Sequence, residues 1–288
     1  PSRPHDANKA TFGRLLIVGG STQYRGAITL AGEGAYRAGA GLVTIASPTD
    51  VVNSIASDLI EATYLPVTES NGGIADEAAL FMRKLWADFN AVVLGPGLGQ
   101  AETSQAFLWA VLPDINNSVK NGTVLDADAL NIISRMSNSQ ERIPKNSILT
   151  PHPGEMARLQ GTSVEDVQAN RIEAARSLAV DRSVYVVLKG HRTVVACPNS
   201  NVFINLTGNP GMATGGSGDV LTGMIAAWSA QLVDTEAGCK VGVYLHGLAG
   251  DLAEDDEGEA AMTAVDITQY LGAAVLGLTA DQGGELQE

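Results

Sequence analysis

The chain has 288 residues, 45% apolar and 17% charged, which supports a sizeable core and argues against disorder. Its net charge of −14, from 18 basic and 32 acidic residues with no Lys/Arg cluster, argues against a nucleic-acid partner or an anionic membrane surface. Aromatics are only 5% while glycines number 32, so the expected core is small and aliphatic with many tight turns, as in α/β enzymes with buried parallel strands.

Residues Pro1 to Thr11 are polar and carry two prolines, and read as an arm over residues 1–11. Leu15 to Val18 is a short apolar strand stopped by Gly19-Gly20-Ser21. Small residues from Ala27 to Ala38 fit a helix that ends at Gly39-Ala40-Gly41, and Leu42 to Ala46 is a second strand. Ala91 to Leu94 runs into Gly95-Pro96-Gly97-Leu98-Gly99, with a helix from about Thr103 to Val111. A strand is expected over Thr123 to Asp128, ending in carboxylates, and another over Ser147 to Thr150, entering Pro151-His152-Pro153-Gly154-Glu155. Val164 to Val180 reads as one helix, and Tyr185 to Leu188 as a strand entering Lys189-Gly190.

Thr193 to Ala196 and Asn201 to Ile204 look like a hairpin around Pro198-Asn199. A helix opens in Gly215 to Asp219 and runs to about Trp228. Helices are expected over Val241–Gly250 and Thr263–Leu276, with Glu254 to Glu259 a solvated acidic loop between them.

Repeated strand–loop–helix units imply a mostly parallel central sheet with helices on both faces. No linker splits the chain, so residues 12–280 are expected to form one domain, with 281–288 as a tail. Five apolar runs end in loops of Gly, Pro and polar residues, and ligands of open α/β sheets bind beyond the carboxyl ends of strands. Cys197 and Cys239 have no metal-ligand spacing and read as half-buried structural thiols. With no signal peptide or membrane-length apolar run, a cytoplasmic location is the default expectation.

The strongest chemical signal is Asn209-Pro210-Gly211-Met212-Ala213-Thr214-Gly215-Gly216-Ser217-Gly218-Asp219-Val220-Leu221-Thr222-Gly223. Its glycines let successive N–H groups of Gly216, Ser217 and Gly218 converge on one point, and the following helix adds its positive end. Such a hole suits a phosphate. Asp219, directly after it, would repel that phosphate unless it accepts a proton from an attacking hydroxyl; the alternative is a helix cap. The pattern is neither Walker A nor a dinucleotide fingerprint.

Lys189 ends a buried strand and needs an anion, which a nucleotide phosphate would supply; otherwise it reaches solvent along its own stem. His152 is fixed between two prolines, placed either to serve a substrate oxygen or as a structural residue, while Glu155 suits the start of the next helix. Asp126 and Asp128 are weak candidates for Mg²⁺, directly or through water, or for turn hydrogen bonds, with Asp126 leaning structural.

Together with Gly19-Gly20-Ser21, Gly26-Ala27 and Arg37-Ala38-Gly39-Ala40-Gly41-Leu42-Val43, these strings occur in an order that resembles the ADP-dependent NAD(P)H-hydrate dehydratases from about residue 12 to 250. The resemblance implies a ribokinase-like fold and a lyase that dehydrates the S-epimer of hydrated NADH or NADPH. It implies hydrate contacts at Ala27, Gly97, His152 and Asp219. Nucleotide contacts are implied at Lys189, Gly190, His191, Arg192, Thr193 and Gly218. Asp219 would be the base, the amides of Gly215 to Gly218 the anion hole, ADP the co-substrate and Mg²⁺ the bridge between phosphates.

A separate epimerase and a homo-oligomer, such as a tetramer, are implied partners. The chain departs from the family's His-Lys-Gly before the first strand, having Asn8-Lys9-Ala10. Two rivals use the same residues: a small-molecule kinase of this fold acting on a vitamin or sugar alcohol, and a non-catalytic nucleotide binder, against which Asp219 argues.

Overall fold

The computed structural model describes residues 3–115, 118–119, 122–136 and 142–283. The order opens with β1 (Arg14–Val18), α1 (Gly26–Arg37), β2 (Leu42–Pro48), α2 (Thr49–Ile55) and β3 (Thr63–Val67). A small hairpin, β4 (Glu69–Ser70) and β5 (Gly73–Ile74), leads into α3 (Ala78–Met82), β6 (Ala91–Leu94) and α4 (Glu102–Ile115). Then come β7 (Thr123–Leu125), α5 (Asp128–Arg135), β8 (Ile148–Leu149), α6 (Pro153–Gln160), α7 (Val164–Ala169) and α8 (Arg171–Arg182). The chain closes with β9 (Tyr185–Leu188), β10 (Val194–Ala196), β11 (Val202–Ile204), α9 (Ser217–Leu232), α10 (Thr235–Glu257) and α11 (Ala264–Gly283).

Nine strands form one sheet in the order β11-β10-β9-β8-β7-β6-β1-β2-β3, parallel except where β10 pairs antiparallel with β9 and β11. Neighbours run outward from β1 to β3, then return to β6 beside β1. That reversal opens a crevice beyond the carboxyl ends of β1 and β6. Alternation along β1 feeds two cores: Leu16 and Val18 pack toward α4, α5, α6 and α8, while Leu15 and Ile17 pack toward α1, α9, α10 and α11.

Helices α1 and α9 approach almost backbone to backbone. A side-chain carbon at Gly223 would lie 1.8 Å from the Ala31 carbonyl, and one at Gly34 would lie 2.4 Å from the Val220 carbonyl. Two glycines thus lock the register of these helices and bring the start of α9 beside the start of α1.

Several expectations are corrected. The strand after Gly122 ends at Leu125, so Asp126 and Asp128 stand in the following turn and helix rather than on the strand. The helix from Val164 breaks at Asn170, whose φ of −135° and ψ of 43° end α7 and begin α8. The acidic stretch from Glu254 stays helical to Glu257, and α11 continues through 281–283, residues assigned to the tail; residues 284–288 lie outside the described ones.

The described part of the arm is docked. Asn8 caps a short 3₁₀ turn over Lys9–Phe12, and Arg3 lies 4.0 Å over the Phe12 ring and donates to the Gly39 carbonyl at 2.8 Å. Asn8, part of the departure from the family pattern, therefore has a capping role. Cys197 and Cys239 are fully rather than half buried and free; burial pushes the Cys197 thiol up to about 11 and raises Cys239 as well. Among the described residues no helix is long and apolar enough to cross a membrane.

Candidate active site

Beyond β7, β8 and β9 the strand-end loops and the start of α9 enclose a cleft of about 810 Å³. It gathers most of the residues singled out above: His152, the segment Lys189 to Thr193, and Gly216 to Asp219. Asp126 lies on the same wall. Gly216 has a φ of 93° and precedes α9, whose first internal bond runs from the Val220 N–H to the Gly216 carbonyl. The N–H groups of Gly216, Ser217 and Gly218 have no acceptor among the described residues, as is usual for the first turn of a helix. Such a terminus is the arrangement that anion binding would need.

Lys189 lies directly beneath it. A side-chain carbon at Gly218 would sit 3.3 Å from the Lys189 Nζ. The anion that this lysine needs is already supplied by the chain: its Nζ donates to Asp126 Oδ1 at 2.8 Å. The other Asp126 oxygen accepts from the Thr222 hydroxyl at 2.7 Å. Burial works against the charge on Lys189, yet the carboxylates of Asp126 and Glu155 outweigh it and hold its pKa above the usual lysine value.

Asp219 is pushed up to about 7, first by burial and then by the neighbouring Asp126 charge, against the pull of Lys189. A carboxylate poised there is suited to accept a proton near neutrality. Glu155 is also raised to about 7, chiefly by burial. It occupies the third position of α6 and closes a reciprocal cap with His152: the His152 N–H donates to Glu155 Oε2 at 2.9 Å, and the Gly154 N–H donates to His152 Nδ1 at 3.0 Å. With Nδ1 accepting, the half-buried His152 carries its hydrogen on Nε2, 3.5 Å from Glu155 Oε1; burial, with help from Lys189 and Arg158, lowers its pKa and favours the neutral ring.

Asp128 has a structural task. Its carboxylate accepts the Gly99 N–H at 2.9 Å and the Gln100 side-chain amide at 2.8 Å, tying the Gly95–Gly99 loop to α5. Between the two aspartates, Ala127 is held at φ 50° and ψ −116°, a strained conformation for a residue with a Cβ. Asp126 and Asp128 are thus both engaged by protein groups. Among the described residues no cluster of three or more His, Cys, Asp or Glu side chains is arranged to hold a metal.

The site still fits a phosphate-borne dication. Three cleft carboxylates, Asp126, Glu155 and Asp219, share one ammonium, and Glu155 and Asp219 are raised to about 7, first by burial and then by that crowding. A Mg²⁺ held mostly by nucleotide phosphates and water needs only one or two such carboxylates.

Ala27 and Gly97 form a second group. They stand together at the β1/β6 crevice, where a carbon on Gly97 would lie 3.2 Å from the Ala27 Cβ, rather than on the wall of the main cleft. The two groups meet at Gly216, whose added carbon would lie 2.3 Å from Leu30 Cδ1, one turn beyond Ala27.

Sequence reasoning missed three participants. Thr222 stands inside the glycine motif, but only the fold brings it to Asp126. Arg171 reaches across from α8 to the Leu188 and Lys189 carbonyls at 3.0 and 3.2 Å, and no local pattern foreshadows it. His246, buried on α10, has only flanking glycines to distinguish it from a core histidine.

A family model described as NAD(P)H-hydrate dehydratase matches residues 15–272. The ADP-dependent (S)-NAD(P)H-hydrate dehydratase of Neisseria meningitidis is 40% identical over 263 residues, covering 90% of this chain and 83% of that one. A bifunctional NAD(P)H-hydrate repair enzyme of Moorella thermoacetica is 41% identical over 273 residues, covering 94% of this chain and 51% of its own. The chain thus spans about half the length of the first curated relatives it matches. The crystal structure of an ADP/ATP-dependent NAD(P)H-hydrate dehydratase from Bacillus subtilis, co-crystallized with ATP and Mg²⁺, superposes with a TM-score of 0.79 at 34% identity, over 95% of this chain and 92% of that one. The fold is the ribokinase-like one of these neighbours.

Proposed function

The chain belongs to the NAD(P)H-hydrate dehydratase family, and on that premise we propose that it dehydrates the S-epimer of hydrated NADH or NADPH at the expense of ADP. The observation that carries the reading is Asp219 itself: a carboxyl held near neutrality, one residue beyond a helix terminus whose amides and underlying Lys189 suit a phosphate.

The hydrate's hydroxyl faces Asp219, with Ala27, Gly97 and His152 around the nicotinamide ring. Lys189 to Thr193 and Gly218 hold ADP. Asp219 takes the hydroxyl proton as the oxygen forms its bond to the terminal phosphorus, and the bond from that phosphorus to the bridging oxygen breaks to release AMP. The amides of Gly216, Ser217 and Gly218 and the Lys189 ammonium stabilise charge on the transferring group. Phosphate then leaves with the electron pair of the C–O bond, and solvent water takes up the proton given off by the adjacent ring carbon. The double bond of the reduced nicotinamide returns.

Arg171 keeps the Lys189 main chain in place, and the Asp126–Thr222 pair orients the ammonium. Glu155, with water and the nucleotide phosphates, would hold Mg²⁺. When bound, that ion supplies positive charge against the phosphoryl oxygens. The reading carries with it a homo-oligomer and a functional link to an epimerase that supplies the S form.

The test is incubation with enzymically prepared hydrated NADH, Mg²⁺ and ADP or ATP. Recovery of reduced-nicotinamide absorbance with equimolar free phosphate is expected. A stable phosphorylated alcohol with no recovery would make the protein a kinase instead.

A further inference from the structure

His246 is the one histidine of the cleft wall that the mechanism leaves unused, and it is only 7% exposed. Its Nε2 stands 3.0 Å from the Ser217 carbonyl oxygen. A carbonyl only accepts, so Nε2 carries the hydrogen. Burial holds the ring pKa down to about 4 despite that bond, so the imidazole keeps a single proton. Nδ1 is then a bare lone pair, and no protein group among the described residues is seen to donate to it.

The surroundings suit a flat group. Leu221, Val243 and Met212 border the same part of the cleft. The loop carrying Thr207 and Met212 presses directly on α10: a carbon at Gly247 would lie 2.2 Å from Thr207 Oγ1, and one at Gly250 would lie 2.4 Å from Met212 Sδ. Two polar side chains of the neighbouring loop, Thr207 and Asn205, are occupied. The Thr207 hydroxyl bonds the Tyr244 carbonyl at 2.9 Å, and the Asn205 amide bonds the Thr207 and Val243 carbonyls at 3.0 and 3.4 Å. His246 Nδ1 is left as an unengaged acceptor on the cleft wall, where Asn209 Oδ1 is a second buried acceptor without a partner among the described residues. The same ring is tied through Nε2 to Ser217, whose own N–H belongs to the first turn of α9.

We propose that His246 is a specificity-determining residue for the nucleotide: Nδ1 accepts a hydrogen bond from a donor on the nucleoside, while Nε2–H holds the first carbonyl of α9. The donor is either the amino group of adenine or the ribose 2′-hydroxyl. The inference rests on a nucleotide occupying this cleft, and is independent of what the second substrate is.

Calorimetric titration of the whole chain with ADP, inosine diphosphate and 2′-deoxy-ADP, with no hydrate present, tests it. Inosine diphosphate replaces the amino donor by an oxo group; the deoxy nucleotide removes a hydroxyl. One analogue should bind about tenfold or more weakly, which names the donor. Equal binding of all three, or no binding of any, overturns the proposal. His246→Gln retains an N–H for the Ser217 carbonyl but lacks Nδ1; it should bind ADP as weakly as the disfavoured analogue and lose the discrimination. Full ADP affinity in this variant also overturns the proposal. If the variant does not fold, the comparison of nucleotides on the unaltered chain decides. A chain that discriminates among these nucleotides but never restores NADH would sink the dehydratase reading and leave this one standing.

Discussion

Lys189 Nζ and Asp126 Oδ1 are 2.8 Å apart, an ion pair joining the ends of two parallel strands at the floor of the cleft. Asp126 is 1% exposed, so the pair is only as good as its completeness. Lys189→Met should cost about 3–5 kcal/mol in urea unfolding, because it strands a buried carboxylate. Adding Asp126→Asn to that variant should recover much of the loss. A Lys189→Met single variant as stable as the parent would show that the pair carries little.

Asp219→Asn removes the proposed proton acceptor while keeping shape. Turnover of hydrated NADH should fall by about three orders of magnitude or more, with ADP affinity by calorimetry within a few-fold of the parent. Unchanged turnover would remove Asp219 from the chemistry.

The activity profile should carry the same residue's signature. A base with a pKa of about 7 makes kcat/KM rise with pH and level off above that value. Glu155 titrates in the same range, so Glu155→Gln is the control: the ascending limb should persist there and vanish in the residual activity of Asp219→Asn.

Stability has the opposite slope. Asp219 is raised in the fold from an ordinary value of 3.8 to about 7, so the native state binds the proton more tightly. Its contribution is complete below about 4 and is lost as pH rises through 7. Asp219→Asn should therefore melt above the parent at pH 8, with the gap closing at pH 5. A gap that grows on acidification would contradict the raised pKa.

Gly223→Ala puts a methyl group where the Ala31 carbonyl stands, 1.8 Å away. The helices α1 and α9 must separate, at a cost of about 1–3 kcal/mol. The same movement pulls Gly216 from Leu30, so activity should fall more steeply than the melting temperature suggests. Thermal unfolding and turnover on one preparation check both.

Much of this was legible in the chain. The runs Ala91–Leu94 and Tyr185–Leu188 match their strands residue for residue, because a buried parallel strand reads as an unbroken apolar run, here ended by Gly95 and by Lys189-Gly190. The glycine nest, Lys189 and His152 fell where strand ends must converge. Hidden features were those created by distance. Thr222 meets Asp126 across 96 residues, and Arg171 braces a strand that follows it by 17. The break at Asn170 was missed because apolar periodicity continues across it; only the backbone angles of one residue change. Ala27 and Gly97 were found as residues but not as a separate crevice, which depends on the strand order reversing between β1 and β6.

One turn of α9 has a wider consequence. Successive helical residues project about 100° apart, so Gly218 toward Lys189 and Asp219 beside it address different directions from a single peptide step. Inserting or deleting one residue there would rotate every donor and acceptor by the same angle and exchange their duties. This segment therefore tolerates changes of side chain more readily than changes of length, and new substrate preferences are best sought by remodelling the strand-end loops around it.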